Sequence, residues 1–217
     1  RLSSHKASVN IMYGCDKFCT YCIVPYTRGR ERSRRKEDIL REVEELKASG
    51  RKEVVLLGQN VNAYGKDLKM EDGFTQLLVA VAKTGIERIS FYTSHPRDYS
   101  ETTIDAMRDY PNIMPFLHLP VQSGSDEVLR RMARGYTVER YKQLYNDLKK
   151  KVPHIAFTTD LIVGFPNETD DEFEATLDLV RYCRFDMAYA FIYSPRAGTP
   201  AANMEDNIPL EVKKERL

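Results

Sequence analysis

The sequence has no tryptophan, only four cysteines and four histidines in 217 residues, and no long uninterrupted apolar run. Each shortage narrows the field. A helix that spans a bilayer needs about 20 predominantly apolar residues, so no membrane-spanning helix is predicted. Disulfide-stapled folds are dense in cysteine because they lack a core, whereas a chain of this length can bury one of its own. The stretch Arg1 to Lys6 has no apolar middle of the kind a secretory signal carries. A reducing, cytoplasmic location without membrane partners is therefore expected. Net charge is nearly absent too: 33 Lys and Arg against 32 Asp and Glu leave +1. A polyanionic partner would have to be met by a local patch, not by the surface as a whole. Hydrophobic residues at 42% and charged residues at 30% are ordinary for a globular domain.

Three of the few cysteines stand together. Cys15, Cys19 and Cys22 follow the apolar run Val9 to Gly14 in the spacing C-x3-C-x2-C. Four thiolates ordinarily close a 4Fe-4S cluster. Three leave one iron with a position the motif does not fill, which points to chemistry at that iron and not to electron storage alone. Zinc is the alternative, with His5 or Cys183 as a fourth ligand, but zinc motifs usually pair their ligands in two separated groups and no second pair exists. Cys183, on the apolar face of a predicted helix, reads as an inert buried thiol. The histidines share no spacing; His95 and His118 read as structural, with lining a site as the other option.

Directly after the cysteines, Arg28, Arg30, Arg32, Arg34, Arg35 and Lys36 stand against a single Glu31. This run is either an electrostatic footprint for phosphates or a solvated helix start whose charges pair locally.

Short β-branched or aromatic runs alternate with amphipathic stretches along the whole chain. Strands are predicted over Val9 to Tyr13, Val54 to Leu57, Arg88 to Tyr92, Phe116 to Leu119, Ala156 to Val163 and Met187 to Tyr193. Between them, Ile39, Val43 and Leu46 recur at helical spacing before Gly50, and Phe74, Leu77, Leu78 and Val81 before Gly85. A weaker helix over Thr102 to Tyr110 stops at Pro111. Thr137 caps a helix carrying Tyr141, Leu144, Tyr145 and Leu148, and Thr169 to Glu172 forms a capping box ahead of Phe173, Leu177 and Val180. Such alternation implies parallel strands and right-handed crossovers. Six units fall short of the eight of a closed barrel, so the expected fold is α/β, a partial (β/α)6 barrel, with one domain over residues 1–217. Its chemistry should collect at the strand C-termini, where the cysteines, Gly58 to Asn60, Pro120 to Gly124 and Gly164 to Pro166 all fall. Asp160, inside an apolar strand, is costly unless paired or liganded.

These segments carry a resemblance. C-x3-C-x2-C after the first strand of a partial barrel resembles the radical S-adenosylmethionine superfamily. The stretches GCDKFCTYCIVPYTRGRERSR (14–34), LLGQNVNAYG (56–65), LHLPVQSGSDEVLRRMARGYT (117–137) and DLIVGFPNETDDEF (160–173) resemble its methylthiotransferases. Residues 58–65 and 26–31 look most like the MiaB-type enzymes that modify tRNA. Arg35 and Asn167 stand where that family usually has proline and glycine; neither is an expected ligand, and Asn tolerates the left-handed conformation.

The resemblance implies that Cys15, Cys19 and Cys22 hold a 4Fe-4S cluster whose open iron takes the amino and carboxylate groups of S-adenosylmethionine. Gly58, Gln59 and Asn60 would lie along the methionine amino group. Arg134, with Arg130 and Arg131 as rivals, would take the carboxylate through its paired donors. Gln122 and Asp160, and more weakly Ser123, would bind the ribose; Ile162, Gly164 and the strand near Phe191 would border the adenine. Phe18 and Tyr21 would pack over cluster or adenine, or be core. Arg28, Arg30, Arg32 and Arg35 would hold phosphates of a tRNA substrate, an isopentenylated adenosine beside the anticodon. A reductant such as flavodoxin or ferredoxin is an implied partner. Family members also carry an N-terminal domain with a second 4Fe-4S cluster and a C-terminal RNA-binding domain; these 217 residues match neither. They are expected to cleave the cofactor without inserting sulfur on their own. Relatives acting on a ribosomal-protein aspartate or on threonylcarbamoyl adenosine, and a non-catalytic metal-binding RNA module, are the other options.

Overall fold

A computed structural model describes residues 4–217; Arg1 to Ser3, half of the N-terminal stretch read above, lie outside the described residues. Strands β1 (Lys6–Asn10), β2 (Met12–Tyr13), β3 (Arg32–Ser33), β4 (Glu53–Leu57), β5 (Arg88–Phe91), β6 (Phe116–His118), β7 (Ala156–Val163) and β8 (Met187–Ile192) alternate with helices. The helices are α1 (Val24–Arg28), α2 (Lys36–Ala48), α3 (Gly73–Lys83), α4 (Glu101–Asp109), α5 (Asp126–Arg131), α6 (Val138–Lys151), α7 (Asp170–Cys183) and α8 (Leu210–Arg216). No helix among the described residues is long and apolar enough to cross a membrane.

Two parallel sheets run β1-β4-β5 and β6-β7-β8. The chain just before β6 joins them, because Ile89 N donates to Asn112 O and Met114 N to Ile89 O, both at 2.8 Å. Pro115 follows and has no N–H to continue that ladder; from Phe116 the strand pairs with β7 instead. The result is a six-strand parallel wall in which no ladder joins β1 to β8 among the described residues, an open barrel as expected. Helices pack outside it. Ile39, Val43 and Leu46 of α2 and Leu77, Leu78 and Val81 of α3 are buried against Val9, Val54, Leu56 and Ile89 of the strands. The caps fall where the sequence puts them: Thr137 Oγ1 accepts from Arg140 N, and Thr169 with Glu172 completes a capping box.

One strand is corrected. β1 starts at Lys6 and ends at Asn10, and Met12–Tyr13 leaves the sheet to pair antiparallel with β3. Ile11 N still donates to Leu57 O at 2.8 Å, but Ile11 O accepts from Arg34 N at 2.9 Å, so the returning chain captures the strand end. This ribbon folds the basic run back across the root of the cysteine loop.

Candidate active site

The loop after β2 is shaped by Gly14, which sits at φ +77°; a Cβ there would lie 2.1 Å from Arg30 O, so no larger residue fits. Gly14 N donates to Gln59 Oε1 at 2.6 Å and Cys15 N to Gly29 O at 3.1 Å. Further along, Thr20 N donates to Met132 O at 3.0 Å and Thr20 Oγ1 to Arg131 O at 2.9 Å. The three thiols are thereby hung between the turn after β4 and the end of α5.

Cys15, Cys19 and Cys22 border a common cavity of about 390 Å³ together with Gly58, Gln59, Asn60, Gln122, Arg134 and Asp160. Residues from four separate strand ends thus meet at one place. A second cavity of about 570 Å³ shares Tyr21, Cys22, Gln122 and Asp160 with the first and adds Ile162, Phe191 and Tyr193. One end of the combined space is ringed by thiols and polar groups, the other by apolar and aromatic side chains. Two lining residues adopt left-handed backbone: Thr93 at φ 68° and Gln122 at φ 74°. For a β-branched threonine this is strain of the kind that collects at functional sites.

Burial pushes the Cys15 thiol up to about 11 and raises Cys22 as well. Thiols held this way ionise readily only beside a strong local cation, which a bound metal supplies. Arg134 is buried among them. Its Nη1 lies 3.5 Å from Cys19 Sγ and 3.4 Å from Tyr21 Oη, Nη2 donates to Pro120 O at 2.8 Å, and Nε to Tyr136 Oη at 3.0 Å. Across the cavity, Gln122 N donates to Asp160 O at 2.9 Å, and His118 Nε2 lies 3.4 Å from Asp160 Oδ2.

Beneath the cavity sits Asp98, its side chain 3% exposed. It accepts from Lys17 Nζ at 2.8 Å, Lys66 Nζ at 2.5 Å and Asn60 Nδ2 at 2.6 Å. Burial raises its pKa, but those three donors outweigh burial and hold the carboxyl down at about 2. Lys17 lies inside the cysteine motif, so this carboxylate ties the cysteine loop to the turn after β4.

Not every expected residue reaches the cavity. Ser123 is fully buried and turned to α7, where its Oγ lies 3.2 Å from Thr176 Oγ1. Gly164 donates its N–H to Glu168 Oε2 at 2.8 Å beside the Lys213 side chain and borders neither cavity. Arg130 and Arg131 pair with Glu127 and Glu172, leaving Arg134 as the arginine of that group at the cavity. Phe18 is exposed and edge-on to Tyr26, whereas Tyr21 lines both cavities. Cys183 is buried in the main core. Arg28, Arg30, Arg32 and Arg35 are exposed outside the cavity, with Arg30 paired to Asp16 and Arg35 to Asp38. Asp98 and Lys17 were missed. Their one sequence sign is a lysine between two cysteines, which by itself reads as a surface residue.

The sequence profile of the Radical SAM superfamily matches residues 9–180. The chain belongs to the radical SAM superfamily. Among curated relatives, the tRNA-2-methylthio-N(6)-dimethylallyladenosine synthase of Geobacillus kaustophilus is 61% identical over 98% of this chain and 40% of its own length. The synthase of the same name from Bacillus subtilis is 60% identical over 98% of this chain and 42% of its own length. The chain thus spans about two-fifths of the relatives it matches. Among solved structures, the radical S-adenosylmethionine methyltransferase TsrM from Kitasatospora setae superposes with a TM-score of 0.74 at 18% identity, over 90% of this chain and 38% of that one. Streptococcus suis SuiB gives 0.65 at 15% identity over 98% and 46%. At such identities these likenesses speak for the fold alone.

The residues present fit the superfamily's cofactors. The three thiols are free, and among the described residues three buried oxygens and one buried nitrogen of the cavity have no protein partner: Asn60 Oδ1, Ser94 Oγ, Gln122 Oε1 and His95 Nε2. Buried polar atoms are rarely left so unless something else pairs with them. No three His, Cys, Asp or Glu side chains among the described residues meet closely enough for a single ion.

Proposed function

We propose that this chain, residues 1–217, is the radical SAM core of a tRNA methylthiotransferase acting at carbon 2 of an isopentenylated adenosine. The observation that carries the reading is the joining of three thiols and a polar-to-apolar cavity at the strand C-termini. Identity near 60% to the tRNA-2-methylthio-N(6)-dimethylallyladenosine synthases supports the substrate class.

Cys15, Cys19 and Cys22 would hold a 4Fe-4S cluster, and Arg134 would offset the negative charge of the thiolates. When bound, such a cluster would supply the electron for reductive cleavage of S-adenosylmethionine. The chain's part is to place and shield the reacting groups. Gln122 Oε1 and the Asp160 carboxylate accept hydrogen bonds from a ribose diol. Ile162, Phe191 and Tyr193 would give the adenine an apolar wall. The turn Gly58 to Asn60, which lines the cavity, would offer backbone carbonyls to the methionine ammonium. The partly buried Tyr21 lines both cavities and covers part of that space. An outside reductant, a flavodoxin or ferredoxin, would deliver the electron. A tRNA substrate places the protein in the cytoplasm. Reconstituted protein that binds no S-adenosylmethionine would remove this reading.

For the RNA, Arg28 and Arg32 are the best-placed cations, because both are exposed and neither forms an ion pair among the described residues. Replacing both with alanine should weaken tRNA binding and reduce the slope of log affinity against log salt by about 2. Filter binding across a salt series measures it; an unchanged slope would place the phosphates elsewhere.

A further inference from the structure

His95 caps the short turn Pro96–Asp98, and its Nδ1 accepts from Arg97 N at 3.2 Å. A ring nitrogen that accepts carries no proton. The side chain is 6% exposed, and burial first, then the nearby Arg134 guanidinium, holds the imidazole well below its usual pKa and so neutral. In a neutral ring with a bare Nδ1, the proton sits on Nε2. That Nε2 is buried, has no hydrogen-bond partner among the described residues, and belongs to a residue lining the cavity of the three thiols.

Arg134 shows what this donor is for. A guanidinium has five N–H groups. Contacts to Tyr136, Cys19, Tyr21 and Pro120 engage four of them, leaving one hydrogen on Nη2. The arginine brings positive charge to the cavity but no free fork, and a carboxylate drawn there needs a second donor. Of the other orphaned atoms of the cavity, Asn60 Oδ1 and Gln122 Oε1 are amide oxygens, which cannot donate, and the Ser94 hydroxyl both donates and accepts, so His95 Nε2 is the one orphaned nitrogen donor there among the described residues.

We propose that His95 Nε2–H is a binding donor for the carboxylate of S-adenosylmethionine, completing with Arg134 a divided two-donor site. The proposal rests on the reading that this cavity takes that cofactor, and goes beyond it in assigning a neutral histidine to the carboxylate.

Two substitutions separate the capping role from the binding role. His95→Asn keeps an acceptor near Nδ1 for the Arg97 N–H and removes the Nε2 donor; His95→Gln returns an amide N–H near the Nε2 position. Equilibrium dialysis of cluster-loaded protein would use S-adenosylmethionine and its decarboxylated analogue, with the melting temperature and the cluster potential measured without either. The expected result is that His95→Asn melts like the wild type, binds S-adenosylmethionine about 10- to 100-fold more weakly, and binds the decarboxylated analogue unchanged. His95→Gln should recover most of the loss. Equal affinity in wild type and His95→Asn would overturn the proposal. So would equal losses for both ligands with a shifted cluster potential, which would assign the donor to a cluster sulfide. Wild type that binds neither ligand would instead remove the underlying reading.

Discussion

Cys19→Ala should fold, melt close to the wild type and lose its cluster. Cys19 is buried, and its thiol is one of three that border the cavity. Loss of even an outer partner costs about 10- to 100-fold in metal affinity, and loss of a direct thiolate costs more. The expected result of anaerobic reconstitution is a nearly colourless protein with little bound iron. Cys183→Ala is the control: its thiol lies in the apolar core, pushed up to about 12 by burial, so its loss should leave the iron content as it was. A Cys19→Ala protein with full iron and visible absorption would show that the cluster is held otherwise.

Asp98→Ala should be the most destabilising single change near the site, by about 3–5 kcal/mol, because it strands a buried cation. Lys17, its side chain 13% exposed, is that cation; Lys66 is 52% exposed and contributes little. Urea denaturation measures the loss. Replacing Lys17 and Asp98 together with apolar residues should cost less than Asp98→Ala alone, since no charge is then left unpaired. The acid dependence has a fixed sign. The folded-state pKa, about 2, lies below the unpaired value of 3.8, so the stabilisation is complete above pH 3.8 and is lost as pH falls towards 2. Asp98→Ala should lack that part of the acid transition. An Asp98→Ala protein as stable as the wild type would mean that Lys17 finds water or another partner.

The periodicity of apolar residues was enough to place the main helices and most of the parallel strands, because these are buried on a regular face, whereas β8 was legible from its β-branched and aromatic composition although it is largely exposed. The cysteine spacing was legible for a related reason: metal ligation fixes residue type and local separation together. What was not legible lies in long-range closure. Arg34 N capturing Ile11 O turns the end of the first predicted strand into a ribbon, and no local pattern announces it. Lys17 and Asp98 are 81 positions apart, and each alone reads as surface. Gln122 and Ser123 are neighbours in one loop, and the positive φ at Gln122 decides which lines the cavity. Arg134 was legible through its likeness to known sequences, whereas its engagement with Pro120, Tyr136 and the Cys19 thiol required coordinates.

Three thiols on this open barrel are proposed to support reductive cleavage of S-adenosylmethionine. Its most direct test is chromatographic measurement of 5'-deoxyadenosine after anaerobic reconstitution with iron and sulfide and one-electron reduction by dithionite. The wild type should give 5'-deoxyadenosine and methionine in equal amounts, and Cys19→Ala neither. Intact S-adenosylmethionine recovered from wild-type protein that carries its full cluster would contradict it.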